Sequence, residues 1–417
     1  MGLCMKKNPG EIIHRNKKII ADMILSIVAN AFPIATLQLL VYPITAQAIG
    51  SDEYGLMITI YSLWMVISYS LGNVLNNIRL LNNNYYEENS QEGDFSILLL
   101  KWNCINVVAI VVLTVIYYDK GTIIDYVIAA FIGVLFLLKS YLEVGFRIKL
   151  NYVAICITNI LQAVGFAIGC LIAYKTHYWQ SIFITGYIFS CIYSAVRTGL
   201  LSEKRQKTAY YKKVSSEVNE LTIATVVGCL ADYADKLVLY PLMGGYTVSI
   251  YYTATILGKI IGMLTGPINA VVLSYISRWK KTNNDILKAA LAVAVVIAAL
   301  GYVVTLLVSR PVLTILFPQW VDEVMIYIPI TTITVCLSII ITVIQPFVLK
   351  FCDVKWQILI SFVGLSTYLF ASLLLWKFFG LKGFCFGTAI GVFAKLMLML
   401  FIYYKNAVKT PVTAAEE

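Results

Sequence analysis

The sequence predicts an all-α polytopic membrane protein of about twelve transmembrane helices, and three observations predict it. Of its 417 residues, 60% are hydrophobic and only 13% are charged. Its mean hydropathy is +0.81. Apolar runs of about 20 residues, each long enough to cross a hydrocarbon core of roughly 30 Å, recur from end to end. The longest stretch between them, residues 201–220, is too short for a soluble domain, so function is expected inside the bundle.

Span 1 (20–49) follows a tail carrying Lys6, Lys7, Arg15, Lys17 and Lys18, and contains Pro33, Gln38 and Pro43. It is too long for a signal peptide and lacks a small-residue cleavage site, so it reads as a spanning helix. Span 2 (54–78) brings Asn73, Asn76 and Asn77 onto one helical face and ends at Arg79. Amides in lipid need partners, which sugar hydroxyls or neighbouring helices would both supply. Arg79 reads as an interfacial anchor that would also meet a phosphate. Span 3 (95–118) carries Asn103 and Asn106 at depth. Span 4 (122–143) runs into Lys139, Glu143 and Arg147, an i, i+4 ladder whose long side chains reach headgroups. Span 5 (151–174) carries Asn159 and Gln162, and span 6 (179–200) ends near Arg197.

Span 7 (221–243) holds Asp232, Asp235 and Lys236, where each charge costs about 2.5–3.5 kcal/mol on insertion scales. Asp232 and Lys236 are i, i+4, so pairing between them is expected. Counted from the turn near Gly245 at 1.5 Å per residue, Lys236 lies about 15 Å deep, close to the midplane. Span 8 (249–276) returns with Tyr251 and Tyr252 at its mouth, Lys259 at a similar depth, and Pro267. Spans 9 (286–309), 10 (323–350, with Gln345 and Pro346), 11 (355–378) and 12 (381–404) complete the set. Lys395 lies about 13 residues into span 12. Neither Lys259 nor Lys395 has a carboxylate nearby in sequence. An anionic ligand such as a pyrophosphate or an acidic sugar would serve them, and so would the carboxylates of span 7.

Basic residues concentrate in the N-terminal tail, in the central loop (Lys204, Arg205, Lys207, Lys212, Lys213) and around Arg278, Lys280 and Lys281. By the positive-inside rule these segments, and both termini, are expected in the cytoplasm. The net charge of +10 reflects this bias and attraction to anionic lipid, and points to no nucleic-acid partner. The nine cysteines form no CxxC and lie mostly within spans, which implies neither disulfides nor a metal. The two histidines, His14 and His177, have no nucleophile or carboxylate at a telling spacing, so no catalytic residues, cofactor or enzyme activity are expected.

The segments AIGSDEYGLMITIYSLW (48–64) and LMGGYTVSIYYTATILG (242–258) each place a glycine and a short polar turn before tyrosine and an apolar run. Their offset, near half the chain, suggests two halves in the same orientation. We divide the chain accordingly into an N-terminal lobe (1–200), a cytoplasmic linker (201–220) and a C-terminal lobe (221–417).

YPITAQAIGSDEYGL (42–56), GNVLNNIR (72–79) and ADYADKLVLYPLMGGYTVSIYYTA (231–254) resemble the polysaccharide (Wzx-type) flippases of the multidrug/oligosaccharidyl-lipid/polysaccharide exporter superfamily. The resemblance implies a MATE-like fold, with two six-helix lobes around a central cavity in the bacterial plasma membrane. It also implies movement of undecaprenyl-pyrophosphate-linked oligosaccharides to the outer leaflet by alternating access, for capsule, O-antigen or exopolysaccharide assembly. Lys236, Lys259, Lys395, Arg79, Asn73, Asn76 and Asn77 are then the expected substrate contacts. Asp232 and Asp235 would exchange H+ or Na+, or pair charges. Polysaccharide assembly proteins are expected partners. A cation-coupled multidrug antiporter of the same superfamily is the alternative, and a membrane polymerase or ligase the second.

Overall fold

The computed structural model describes residue 25 and residues 28–89, 91, 93–263, 284–352 and 354–407. Among the described residues each of the twelve expected spans overlaps a helix: α1 (Val28–Ile49), α2 (Ser51–Glu88), α3 (Asp94–Tyr117), α4 (Ile123–Ile148), α5 (Tyr152–Thr176), α6 (Gln180–Thr198), α7 (211–243), α8 (245–263), α9 (Asn284–Leu316), α10 (Ile328–Phe351), α11 (354–379) and α12 (381–407); eight helical stretches are long and apolar enough to cross a membrane. Span 8 beyond residue 263, with Pro267, lies outside the described residues, as do span 1 before residue 28 apart from residue 25, His14, Lys6, Lys7, Arg15, Lys17, Lys18, Arg278, Lys280 and Lys281. No strand occurs among the described residues. Gly244 (φ 79°) breaks α7 from α8, and Gly380 (φ 57°) breaks α11 from α12. Both angles lie where an L side chain is strained, so glycine is what permits the two tight reversals.

Unlike soluble helices, these expose apolar side chains, an inversion that lipid requires, while their buried faces mix apolar and polar groups. On α3 the side chains turned inward include Asn106, Ile110 and Thr114, whereas Val108, Val112, Val115 and Ile116 are exposed. The same inversion leaves α9 mostly exposed and strongly apolar. Pro43 has no N–H, and its ring crowds the carbonyl one turn back. The helix widens there into a π-turn over Leu37–Val41, which accommodates that crowding.

Two compact units divide the chain, Met1–Leu237 and Val238–Glu417. In the first, α2 is the enclosed helix: Trp64 is fully buried and donates from Nε1 to the Ala129 carbonyl of α4 at 3.1 Å. Close approach between neighbours comes from small residues. A Cβ on Gly72 would stand 2.5 Å from the Leu137 carbonyl oxygen of α4. One on Gly165 would stand 2.7 Å from Gly186 of α6, and one on Gly169 2.5 Å from Ile182. Across that seam Thr185 Oγ1 donates to the Gly165 carbonyl at 2.7 Å and Ser181 Oγ to that of Gly169 at 3.0 Å.

The second unit repeats the device. Gly387 and Gly391 of α12, one turn apart, would place a Cβ 2.3 Å from Ser372 and 2.4 Å from Tyr368 of α11. Its core gathers Leu287 and Ala294 of α9, Ile344 and Phe347 of α10, and Met399 and Tyr403 of α12. Tyr251 and Tyr252, expected at the mouth of α8, are instead buried at 4% and 6% exposure. The ring of Tyr251 meets Phe384 edge-on at 5.7 Å, so it serves the core of this unit and does not anchor at an interface.

Candidate functional site

In the first unit, the end of the bundle that carries Lys204, Arg205 and Lys207 is a layer of polar side chains from α2, α4, the central linker and α7. Asn76 of α2 is buried and donates from Nδ2 to the Ser140 carbonyl at 2.8 Å. Its Oδ1 accepts from Arg147 Nη1 at 2.7 Å, and Asn77 Oδ1 accepts from the same nitrogen at 3.0 Å. Asn73 stands beside them, with Asn77 Nδ2 3.5 Å from its Oδ1. The shared face of the three asparagines therefore meets α4.

Arg147 itself departs from the ladder read from sequence. Lys139 and Glu143 pair at 3.4 Å, but Arg147 leaves that row and turns onto α2. The Arg147 amide still bonds the Glu143 carbonyl at 3.1 Å, so the backbone stays helical and it is the side chain that turns, drawn to the Asn76 and Asn77 amide oxygens. Tyr69 lies within electrostatic reach of Glu143, Arg147 and Cys229, and Cys229 within reach of Asp232, so the layer extends to α7.

Arg79 is fully engaged by its own unit. Its guanidinium forms a two-pronged ion pair with Glu203 of the linker and donates to the Tyr141 hydroxyl at 2.5 Å. Phe95 lies against its plane, with the ring centroid 5.3 Å away. Bidentate, half-desolvated arginine–carboxylate pairs are held firmly, so Arg79 stitches the linker to α2. The linker is built into this unit at further points. Asp94, fully buried at the start of α3, accepts from Thr208 N at 2.8 Å, Thr208 Oγ1 at 2.5 Å and Tyr86 Oη at 2.8 Å. Tyr210 stacks on Tyr85 at 3.8 Å, and Asn82 donates to Glu217 at 2.9 Å. A Cβ on Gly93 (φ 112°) would collide with the Lys204 carbonyl at 2.5 Å, so the backbone approaches there as only glycine allows.

Lys236 of α7 is 2% exposed and its Nζ pairs with Asp235, beside the ring of Tyr233 at 5.3 Å. This corrects the i, i+4 pairing with Asp232 expected from spacing. Asp232 lies on the exposed flank of the helix, whereas Asp235 is partly buried next to the ammonium and also accepts from the Lys236 amide at 2.9 Å. In the second unit the aliphatic stem of Lys395 lies across Gly364, whose Cβ would come within 3.1 Å of it. Its ammonium has no ion pair or hydrogen bond among the described residues. Lys259 continues the α8 backbone, but its side chain lies outside the described residues.

The sequence reading missed Asp94, Glu203 and Glu217. Their partners are 114, 124 and 135 positions distant, so nothing local pointed to the pairings. No group of three or more metal-ligating side chains occurs among the described residues.

No family model matches the chain, and no curated protein matches it. Solved structures do. It is similar to the lipid II flippase MurJ in an inward closed conformation (13% identity, 95% of this chain and 90% of that one, TM-score 0.68). It is also similar to a multidrug resistance MATE family transporter of the MOP superfamily in an inward-facing conformation (12% identity, 92% and 98%, TM-score 0.62). A MATE structure in complex with MaL6 aligns with TM-score 0.66 at 9% identity, over 93% and 96%. At these identities the likeness establishes a shared fold, the MATE-like helical architecture.

Proposed function

We propose that this protein is a transporter that flips undecaprenyl-pyrophosphate-linked oligosaccharides to the outer leaflet of the bacterial plasma membrane by alternating access, with both termini cytoplasmic. The observation that carries the reading is Lys395, a cation within an apolar span whose ammonium has no counter-charge among the described residues. A charge held in a span without a local partner marks a ligand path, and an anionic headgroup supplies what it lacks. The pair of buried Lys236 with Asp235 is a charged site of the first unit, and Lys259 stays a candidate substrate contact. The shared fold with a lipid II flippase supports the same class of cargo. Asp232 and Asp235 are the coupling candidates, exchanging H+ or Na+ as the lobes 1–200 and 221–417 alternate about the linker. Arg79, already committed to Glu203, takes a structural role in this reading.

Flipping of a short lipid-pyrophosphate-linked glycan in proteoliposomes tests it. Wild-type protein moves the lipid, and Lys395→Ala and Lys236→Ala, reconstituted in equal folded amounts, slow it. Absence of flipping by wild type, with efflux of cationic drugs in its place, would transfer the assignment to a multidrug antiporter. Longer glycans appearing on incubation would transfer it to a polymerase or ligase.

A further inference from the structure

We infer that Arg147 is an oxyanion receptor in the first unit, presented by Asn76 and Asn77 to the pyrophosphate of the transported lipid; the inference rests on the transport reading above. One guanidinium nitrogen, Nη1, is held by two neutral amide oxygens at 2.7 and 3.0 Å. Among the described residues no hydrogen bond is made by its Nε or Nη2 and no carboxylate stands within salt-bridge distance. The nearest acid along the helix, Glu143, is occupied by Lys139 at 3.4 Å.

This differs from how the same unit treats an arginine it uses as a structural tie. Arg79 has both terminal nitrogens on Glu203 and is neutralised. Arg147 is oriented without being neutralised, since amide oxygens fix direction and leave the full positive charge. Its two remaining nitrogens are the edge that matches two oxygens of a phosphate. Asn76 is in turn locked by its own donation to the Ser140 carbonyl, so the clamp has a fixed position. A lysine would present one point charge and lose the fork.

The experiment uses full-length protein in nanodiscs and titrates two probes, inorganic pyrophosphate and undecaprenyl pyrophosphate, against wild type, Arg147→Gln and Asn77→Asp. Asn77→Asp is the decisive variant. It places a carboxylate where an amide oxygen already touches Arg147, so a packing role is preserved or strengthened while the charge offered to a ligand is cancelled. We expect both variants to weaken binding on the order of tenfold or more, with Asn77→Asp keeping a wild-type melting profile. Weakening for both probes identifies the phosphate itself as the ligand, and weakening for the lipid alone identifies a site that needs the headgroup in its bilayer. Wild-type binding and flipping by both variants would overturn the receptor while leaving the transport reading standing. Failure of wild type to bind either probe or to flip the lipid-linked glycan would overturn both.

Discussion

Replacing Asp94 by alanine should release the central linker. The carboxylate is fully buried and accepts three hydrogen bonds, from Thr208 N and Oγ1 and from Tyr86 Oη. Each bond to a charged group contributes about 1.5–3 kcal/mol net. The three share one carboxylate, and the Thr208 groups recover water when the linker lifts, so two bonds at the lower value, about 3 kcal/mol, is a fair total for Asp94→Ala. At about 1.4 kcal/mol per decade, that raises the population of the open linker roughly 100-fold. The linker carries Lys204, Arg205 and Lys207, all exposed, so trypsin reads the opening directly. When reclosing is fast, cleavage tracks the open population. Asp94→Asn keeps one acceptor oxygen without the charge and should fall between, at about tenfold. Cleavage of Asp94→Ala at a rate within about threefold of wild type, with an unchanged size-exclusion profile, would refute the argument. It would mean that Arg79–Glu203 and the Tyr85–Tyr210 stack hold the linker without it.

Leucine at Gly387, where a Cβ would already stand 2.3 Å from Ser372, should destabilise the second unit by about 3 kcal/mol through overpacking. Leucine at Gly301, with nothing within 4 Å, should leave thermal stability in detergent unchanged; equal losses at both sites would count against the close α11–α12 seam. Asp235→Asn removes the carboxylate from the buried Lys236 ammonium and should cost about 3 kcal/mol. The double variant Asp235→Asn with Lys236→Met should recover part of that loss, and additive losses in a thermal double-mutant cycle would show that the two side chains are uncoupled. Asn106→Leu removes the acceptor of the 2.7 Å bond from buried Ser68 and should lower stability by about 1 kcal/mol; an unchanged unfolding temperature would remove that bond from the core's support.

Much of the fold was legible because membrane insertion is decided locally. An apolar run of about 20 residues lowers its free energy in hydrocarbon whatever its neighbours are, so hydropathy alone located the spans. The glycines that end α7 and α11 were present as residues, and the face shared by Asn73, Asn76 and Asn77 followed from helical spacing. The candidate site was legible only as an inventory of polar groups at depth. Spacing suggested Asp232 for Lys236 and a row from Glu143 to Arg147, and both pairings were redirected, to Asp235 and to Asn76 with Asn77.

The sequence by itself therefore determined that this chain is a bundle of spanning helices and that charged and amide side chains are buried within it. Only the tertiary structure decided which of those groups meet. Arg79 finds Glu203 and Asp94 finds Thr208 across more than a hundred residues. Arg147 finds two amides because Gly72 lets α4 approach α2 to within contact of its backbone. Partition into lipid sums over a whole segment and tolerates error in any one residue. An ion pair forms or fails within about 4 Å, a distance that helix crossings set and that no local pattern encodes.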